Sequence, residues 1–318
     1  MTAATTTSAM ALRNHPVRGI IYLCLGVFAF ALHDVAVKLV SGDYPLSQVM
    51  FIRSLAAMPL MLLLVHFDAG LPALLGRRAG LLLLRAMLLL LGYLCYYLAF
   101  AAIPFTDAVA LYSTVPLIIV ALAGPLLGER VGVLRWLAVA VGFMGVLVML
   151  QPGRSVFEPA GLLILLCALL YSLGMIFGRS LGASVPGSVI ASYTTFVFLL
   201  AAVLMWAVFG VFDFGPLAHP SLAFLLRPWA MPDASDLLVM ISCGLTAAAG
   251  VTGLTFAYRE AEANLVASFE YTALVWAAIL GFLVWHEVPK LSTVMGAALI
   301  VGAGLVAMAA GRIRRNSA

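Results

Sequence analysis

Charged side chains inside apolar stretches are the residues most able to do chemistry in this sequence. Each costs on the order of 2.5–3.5 kcal/mol at the centre of a bilayer. Asp34 and Lys38 stand four residues apart on one apolar run. The acid is N-terminal, the favourable order for a helical ion pair. They form either a charged cavity wall with a proton-linked carboxylate, or a self-neutralised pair with Lys38 reaching toward headgroups. His33 is adjacent but points about 100° away on a helix. Arg53, early in the next apolar run, suits a carboxylate or phosphate; otherwise it is an interfacial anchor or a partner of Asp34. Glu270, between Phe269 and Tyr271, is the deepest lone acid and suits a cation or a coupling proton, or else a structural pair with Arg53 or Arg85.

Aromatic residues form the second group. Tyr93, Tyr96, Tyr97 and Phe100 recur at helical spacing and share one face. Such a face stacks a planar ring and offers hydroxyls, although packing alone also produces aromatic stripes. Tyr112, Tyr171, Tyr193, Phe177 and Trp276 are weaker candidates for the same cavity. Pro116 removes a backbone donor and frees the carbonyl of Tyr112, which suits a gate or a static kink. Glu129 and Glu287 follow helix C-termini, where the dipole disfavours an anion. They are expected to be turn anchors compensated by Arg130, Arg135 or Lys290. GAGLVA at 302–307 imitates a dinucleotide fingerprint but lies inside an apolar span with no preceding strand. Gly296, Gly302 and Gly304 are expected to serve close helix packing.

The elements that must position these residues follow from composition. Of 318 residues, 64% are apolar and 9% charged. A soluble domain carries roughly 25% charged residues, so most of this surface must face lipid. Long apolar runs rather than alternating segments predict helices and exclude a barrel. Ten spans are expected, near 18–40, 46–66, 79–102, 106–126, 132–150, 159–180, 187–210, 236–258, 263–285 and 291–311. Only the Pro-rich connection 211–235, with Trp229, is long enough to make a lid or interfacial segment. The first span is expected to remain uncleaved, without a clear signal-peptidase site. Cys24, Cys95, Cys167 and Cys243 are dispersed and have no metal-ligand or redox spacing.

With ten spans, both termini share a side. That side collects Arg13, Arg18, Arg77, Arg78, Arg85, Arg130, Arg135, Arg179, Arg259, Arg312, Arg314 and Arg315, most of the 17 basic residues. The positive-inside rule makes it cytoplasmic; the location expected is a bacterial inner membrane. The net charge of +4 follows from these loops and calls for no nucleic acid.

The halves also resemble one another. Lys38 and Pro45 precede Arg179 and Pro186 by 141 residues, while PLLGERV around Glu129 matches FLVWHEVP around Glu287 at an offset of 158. Two repeats of five spans, 18–150 and 159–311, flanked by tails 1–17 and 312–318, are expected. An odd number of spans inverts the second copy, placing a site near the midplane between the halves.

The segment YYLAFAAIPFTDAVALYSTVPLIIVALAGPLLGERVGVLRWLAVAVGFMGVLVMLQPG resembles the repeat of EamA-type carriers of the drug/metabolite transporter superfamily. TGLTFAYREAEANLVASFEYTALVWAAILGFLVWHEVPK through GAALIVGAGLVAM resembles its second copy. The likeness spans roughly residues 18–311. It implies an all-α inverted-repeat bundle around a central cavity, cytoplasmic termini and transport of small metabolites. HDVAVKLVSGDYPLSQVMFIRS and LRAMLLLLGY are most similar to the branch carrying S-adenosylmethionine and riboflavin. One departure stands out: the fourth span has Pro116 where the ninth has Thr272 to Leu274, so a shared kink is not expected.

The function expected is a secondary transporter for a small polar or planar metabolite, such as an amino acid, a flavin or an S-adenosylmethionine-like solute. It would act as a monomer or weak homodimer, without cofactor or metal. No G-x-x-x-x-G-K-[ST] loop is present for ATP. The alternative is an intramembrane lipid- or metabolite-modifying enzyme, which would need paired acids or a metal cluster; only single histidines and the Arg259, Glu260, Glu262 group are seen. A channel would want rings of like residues from several subunits.

Overall fold

The computed structural model describes residues 16–76, 78–127, 132–151, 159–182, 185–212, 215, 219–260 and 269–316. Glu129, Arg130, Arg13, Glu262 and the expected start of the ninth span at 263–268 lie outside them, as does the side chain of Arg179.

The described chain is helical. The helices are α1 (Pro16–Val40), α2 (Leu46–Asp68), α3 (Ala79–Phe100), α4 (Phe105–Tyr112), α5 (Val115–Leu127), α6 (Val133–Leu150), α7 (Ala160–Gly182), α8 (Gly187–Phe209), α9 (Pro220–Leu226), α10 (Ala234–Glu260), α11 (Thr272–Trp285) and α12 (Leu291–Asn316). Nine spans are long and apolar enough to cross a bilayer among the described residues, with α4 and the start of α5 counted as one; α11 is a shorter apolar helix. Prolines punctuate them: Pro45, Pro104 and Pro186 precede α2, α4 and α8 in extended backbone, where a missing N–H is harmless. Helices α6 and α11 end on left-handed Gln151 and His286. Asp233 caps α10, accepting from the Asp236 N–H at 2.9 Å and the Ser235 hydroxyl at 2.8 Å. Those bonds hold its carboxyl below the usual carboxylate range.

The principal packing partners come from opposite halves: α1 on α10, α3 on α7, α2 on α8, α6 on α12 and α4 on α11. Each pair runs antiparallel. Along α1 and α10, for example, Gly26 meets Gly250, His33 meets Cys243, and the turn at Tyr44 meets Asp236. Exchanging the halves turns α1·α10 into α7·α3, so the packing has the symmetry of two inverted five-span units. Small residues permit the approach. A Cβ on Gly145 would lie 2.7 Å from the Gly296 carbonyl, and one on Gly253 3.0 Å from the Tyr22 carbonyl. Gly302 does not share this role. It faces open space in an outward groove between α6 and α12, lined by Leu134 and Leu137 on one side and Val306 on the other.

The fourth span is two helices rather than one kinked helix. The chain turns at Ser113–Thr114, and Pro116 lies in the first turn of α5. The ninth span, expected to lack a counterpart, turns at Glu270–Tyr271 immediately before α11. Thr114 Oγ1 donates to the Leu111 carbonyl at 2.8 Å, and Thr272 Oγ1 donates to the Phe269 carbonyl at 2.6 Å. Donors and acceptors are each 158 residues apart, the offset between Glu129 and Glu287. A threonine hydroxyl satisfying a freed carbonyl explains both turns, so no second proline is required.

Candidate functional site between the two halves

His33 and Asp34 lie past the midpoint of α1, facing α2, α3 and α10. The Cys243 carbonyl can only accept, so His33 Nδ1 donates to it, at 2.9 Å. His33 Nε2 then accepts from Arg53 Nη1 at 3.0 Å. These partners fix a neutral imidazole in one tautomer. The Arg53 guanidinium stacks over Tyr93, its Cζ 4.5 Å from the ring centroid, and lies 5.3 Å from that of Phe198. Such stacking suits a planar, weakly hydrated cation. Asp34 is held separately: Tyr97 donates to Oδ1 at 2.5 Å and Tyr96 to Oδ2 at 3.3 Å.

The expected Asp34–Lys38 pair is therefore absent, and so is a direct Asp34–Arg53 pair. Lys38, one turn closer to the end of α1, reaches outward. Its Nζ lies 3.0 Å from Glu287 Oε1 and 3.0 Å from the Ile103 carbonyl, beside the Trp285 ring at 5.0 Å. Glu287 Oε2 accepts the Phe105 N–H at 2.8 Å. The anion that the C-terminal dipole of α11 disfavours thus sits on the N-terminus of α4. Its compensating cation is Lys38, not Arg135 or Lys290.

The Lys38 end of the bundle carries further polar ties. Thr293 donates to Asp107 at 2.5 Å and Tyr44 to Asp236 at 2.8 Å. The long connection crosses this end: Ser221 donates to the Leu98 carbonyl, Trp229 to Ser47, and Gln48 exchanges two hydrogen bonds with Ala230. The sequence pointed to this connection as a lid or an interfacial segment, and its described part ties to α2 and α3.

Other candidates spread along the bundle. Tyr112 packs between Tyr96 and Tyr171. Glu270 lies at the interruption of the ninth span, in the turn before α11. Phe100 is fully buried between Tyr96 and Phe105; it is core. Trp276 packs on Phe28 at 4.5 Å among Leu23, Val27 and Leu254, outside the charged cluster. Tyr193 donates to the Leu74 carbonyl at the opposite end, and Phe177 is half-exposed. His33 and Phe198 belong to the cluster and were not among the sequence candidates. The 100° offset of His33 from Asp34 was the available signal, since it aims the ring at α2 and α10.

Residues 17–151 match the EamA-like transporter family. A pseudopaline exporter of Pseudomonas aeruginosa is 31% identical over 289 residues, covering 89% of this chain and 93% of that protein. The chain belongs to the EamA-like transporter family. Other relatives of this EamA-like transporter are a riboflavin transporter of Vibrio cholerae, 26% identical over 92% of the chain and 93% of its own length, and an S-adenosylmethionine uptake transporter of Rickettsia prowazekii, 26% identical over 90% and 91%. A solved crystal structure with 19% sequence identity superposes with a TM-score of 0.60 over 92% of this chain and 98% of that one, which shows the same fold. The family is one of multi-pass membrane transporters rather than enzymes.

Proposed function

We propose that this EamA-like transporter is a secondary carrier that moves a small metabolite across the bacterial inner membrane by alternating access. Both termini are cytoplasmic, so the Lys38 end faces the periplasm. The carrying observation is the Lys38–Glu287 pair. It joins α1 to α11 at one end of the bundle, directly beyond the Asp34–Arg53 cluster, so separating these two residues is a discrete way to expose that cluster to the periplasm. The matched interruptions at Ser113–Thr114 and Glu270–Tyr271 support the reading, since each is a point where one span can bend. Two repeats, 18–150 and 159–311, would exchange roles between the states.

The solutes named for the relatives bear planar rings or several charges, in keeping with a cluster that holds both charge signs among tyrosines. The test is uptake by purified protein in liposomes against labelled amino acids, riboflavin and S-adenosylmethionine, with and without a pH gradient. Saturable accumulation of one class supports the carrier. Leak that rises linearly with solute concentration, equal to protein-free vesicles for every compound, refutes it.

A further inference from the structure

Arg53 is a cation within a span that no carboxylate approaches within 4 Å among the described residues. Asp34, the acid nearest in the cluster, is turned to two tyrosine hydroxyls instead. A guanidinium has five N–H donors in a fixed fork, yet among the described residues Arg53 finds one protein acceptor, His33 Nε2. That acceptor is neutral. Stacking on Tyr93 and Phe198 fixes the plane of the fork without using its remaining donors. Beside it, the Tyr93 hydroxyl is buried and has no hydrogen-bond partner. Unsatisfied buried donors are costly, by roughly 1–3 kcal/mol for a neutral group, so a cation and a hydroxyl left open together mark a place where an acceptor arrives from outside the chain.

We propose that Arg53 and Tyr93 bind a carboxylate group of the transported solute, the guanidinium fork taking both oxygens and the Tyr93 hydroxyl donating to one of them. This deepens the carrier reading and rests on it for the word transported. The pattern recurs on α3, the helix that carries Tyr93. Arg85 lies eight residues before Tyr93, about 12 Å along the axis. Among the described residues it meets only the Thr194 hydroxyl, at 3.3 Å, and its Nε is buried without a partner there. Arg85 on α3 is thus a second arginine, after Arg53 on α2, that no carboxylate approaches within 4 Å among the described residues; it gives an anion a favourable place on the way to Arg53 and disfavours a solute carrying cationic charge alone.

The experiment uses the full chain and three matched pairs of probes: benzoate and benzamide, glutamate and glutamine, phenylalanine and phenylalaninamide. Binding is read as thermal stabilisation of the detergent-solubilised protein up to 10 mM, and transport is read separately in liposomes. At least one acid should bind about tenfold or more tightly than its amide, the scale of a charge-assisted bidentate contact. Arg53→Gln should bring that ratio within about twofold of unity. Arg53→Lys, which keeps the charge and loses the fork, should retain part of it, and Tyr93→Phe should lower it. Thermal midpoints of the unliganded variants separate loss of binding from loss of fold. Equal binding of acid and amide in every pair, absence of binding by all three acids, or a preference undiminished in a folded Arg53→Gln would overturn the proposal. Acid-selective binding without transport in liposomes would uphold this site and count against the carrier reading alone.

Discussion

Glu287 answers two charges at once: one oxygen meets the Lys38 ammonium at 3.0 Å, and the other accepts the first N–H of α4 at 2.8 Å. A single carboxylate thereby fastens α1, α4 and α11 at one end of the bundle. Its side chain is 19% exposed and that of Lys38 13%, so the pair is mostly withdrawn from solvent and removing one partner strands the other.

Opening between α1 and α11 is expected to require this pair to part. With Lys38 and Glu287 both replaced by cysteine, a short bifunctional thiol reagent should stop transport, and a reducible linker should restore it on cleavage. The comparison requires protection of the four native cysteines or their replacement. Full transport with the cross-link demonstrably in place would show that this end never opens.

The two tyrosines on Asp34 are unequal. Tyr97 donates at 2.5 Å and Tyr96 at 3.3 Å, so Tyr97→Phe should reduce transport about tenfold or more and Tyr96→Phe by about threefold or less, in line with about 1.5–3 kcal/mol for a strong hydrogen bond to a charged group. Initial rates at saturating solute decide the order. A larger loss for Tyr96→Phe would reverse the assignment.

His33 holds Arg53 by accepting its Nη1–H while donating to the Cys243 carbonyl. Replacement by Phe keeps a ring and abolishes both bonds, leaving the carbonyl of α10 and the guanidinium unmatched. Transport should fall by about tenfold to a hundredfold, and the thermal midpoint should also drop. A His33→Phe protein with unaltered kinetics would remove the imidazole from the machinery.

Glycines that look alike in the sequence differ in what they touch. Gly296→Val drives methyls into the Gly145 carbonyl and Met149 and should lower the yield of folded protein sharply. Gly302→Ala enters open space and should change stability by no more than about 0.5 kcal/mol. Fluorescence-detected size exclusion after heating separates the two; equal loss would mean that α6 and α12 pack differently.

The spans were legible because uninterrupted apolar runs of membrane length leave few other structures, and the landmarks at Lys38, Glu129, Arg179 and Glu287 pointed to a repeat with which the cross-half packing agrees. The site was legible in kind but not in pairing. Asp34 and Lys38 satisfy a local i, i+4 rule, yet tertiary partners outcompete it: tyrosine hydroxyls from α3 reach the acid, and Glu287, 249 residues away, reaches the lysine. No local pattern encodes such distances. The ninth-span turn escaped because the expectation relied on proline, whereas Thr272 supplies a side-chain donor to the same effect. His33 was visible but was judged by its neighbour's direction instead of by what its own direction would meet.

The cross-half packing carries a consequence for how the chain is made. Helices α1, α2 and α3 find their main partners in α10, α8 and α7, all synthesised later. When the ribosome has delivered only the first five spans, the face bearing Asp34 and Arg53 has neither Cys243 nor Phe198 against it. That half is then an inserted but unfinished template, whose polar side must be sheltered by the insertion machinery or by lipid until its inverted copy arrives. On the proposed carrier cycle, biogenesis and transport depend on the same seam: the one that would open in each cycle is also the last one the nascent protein can close.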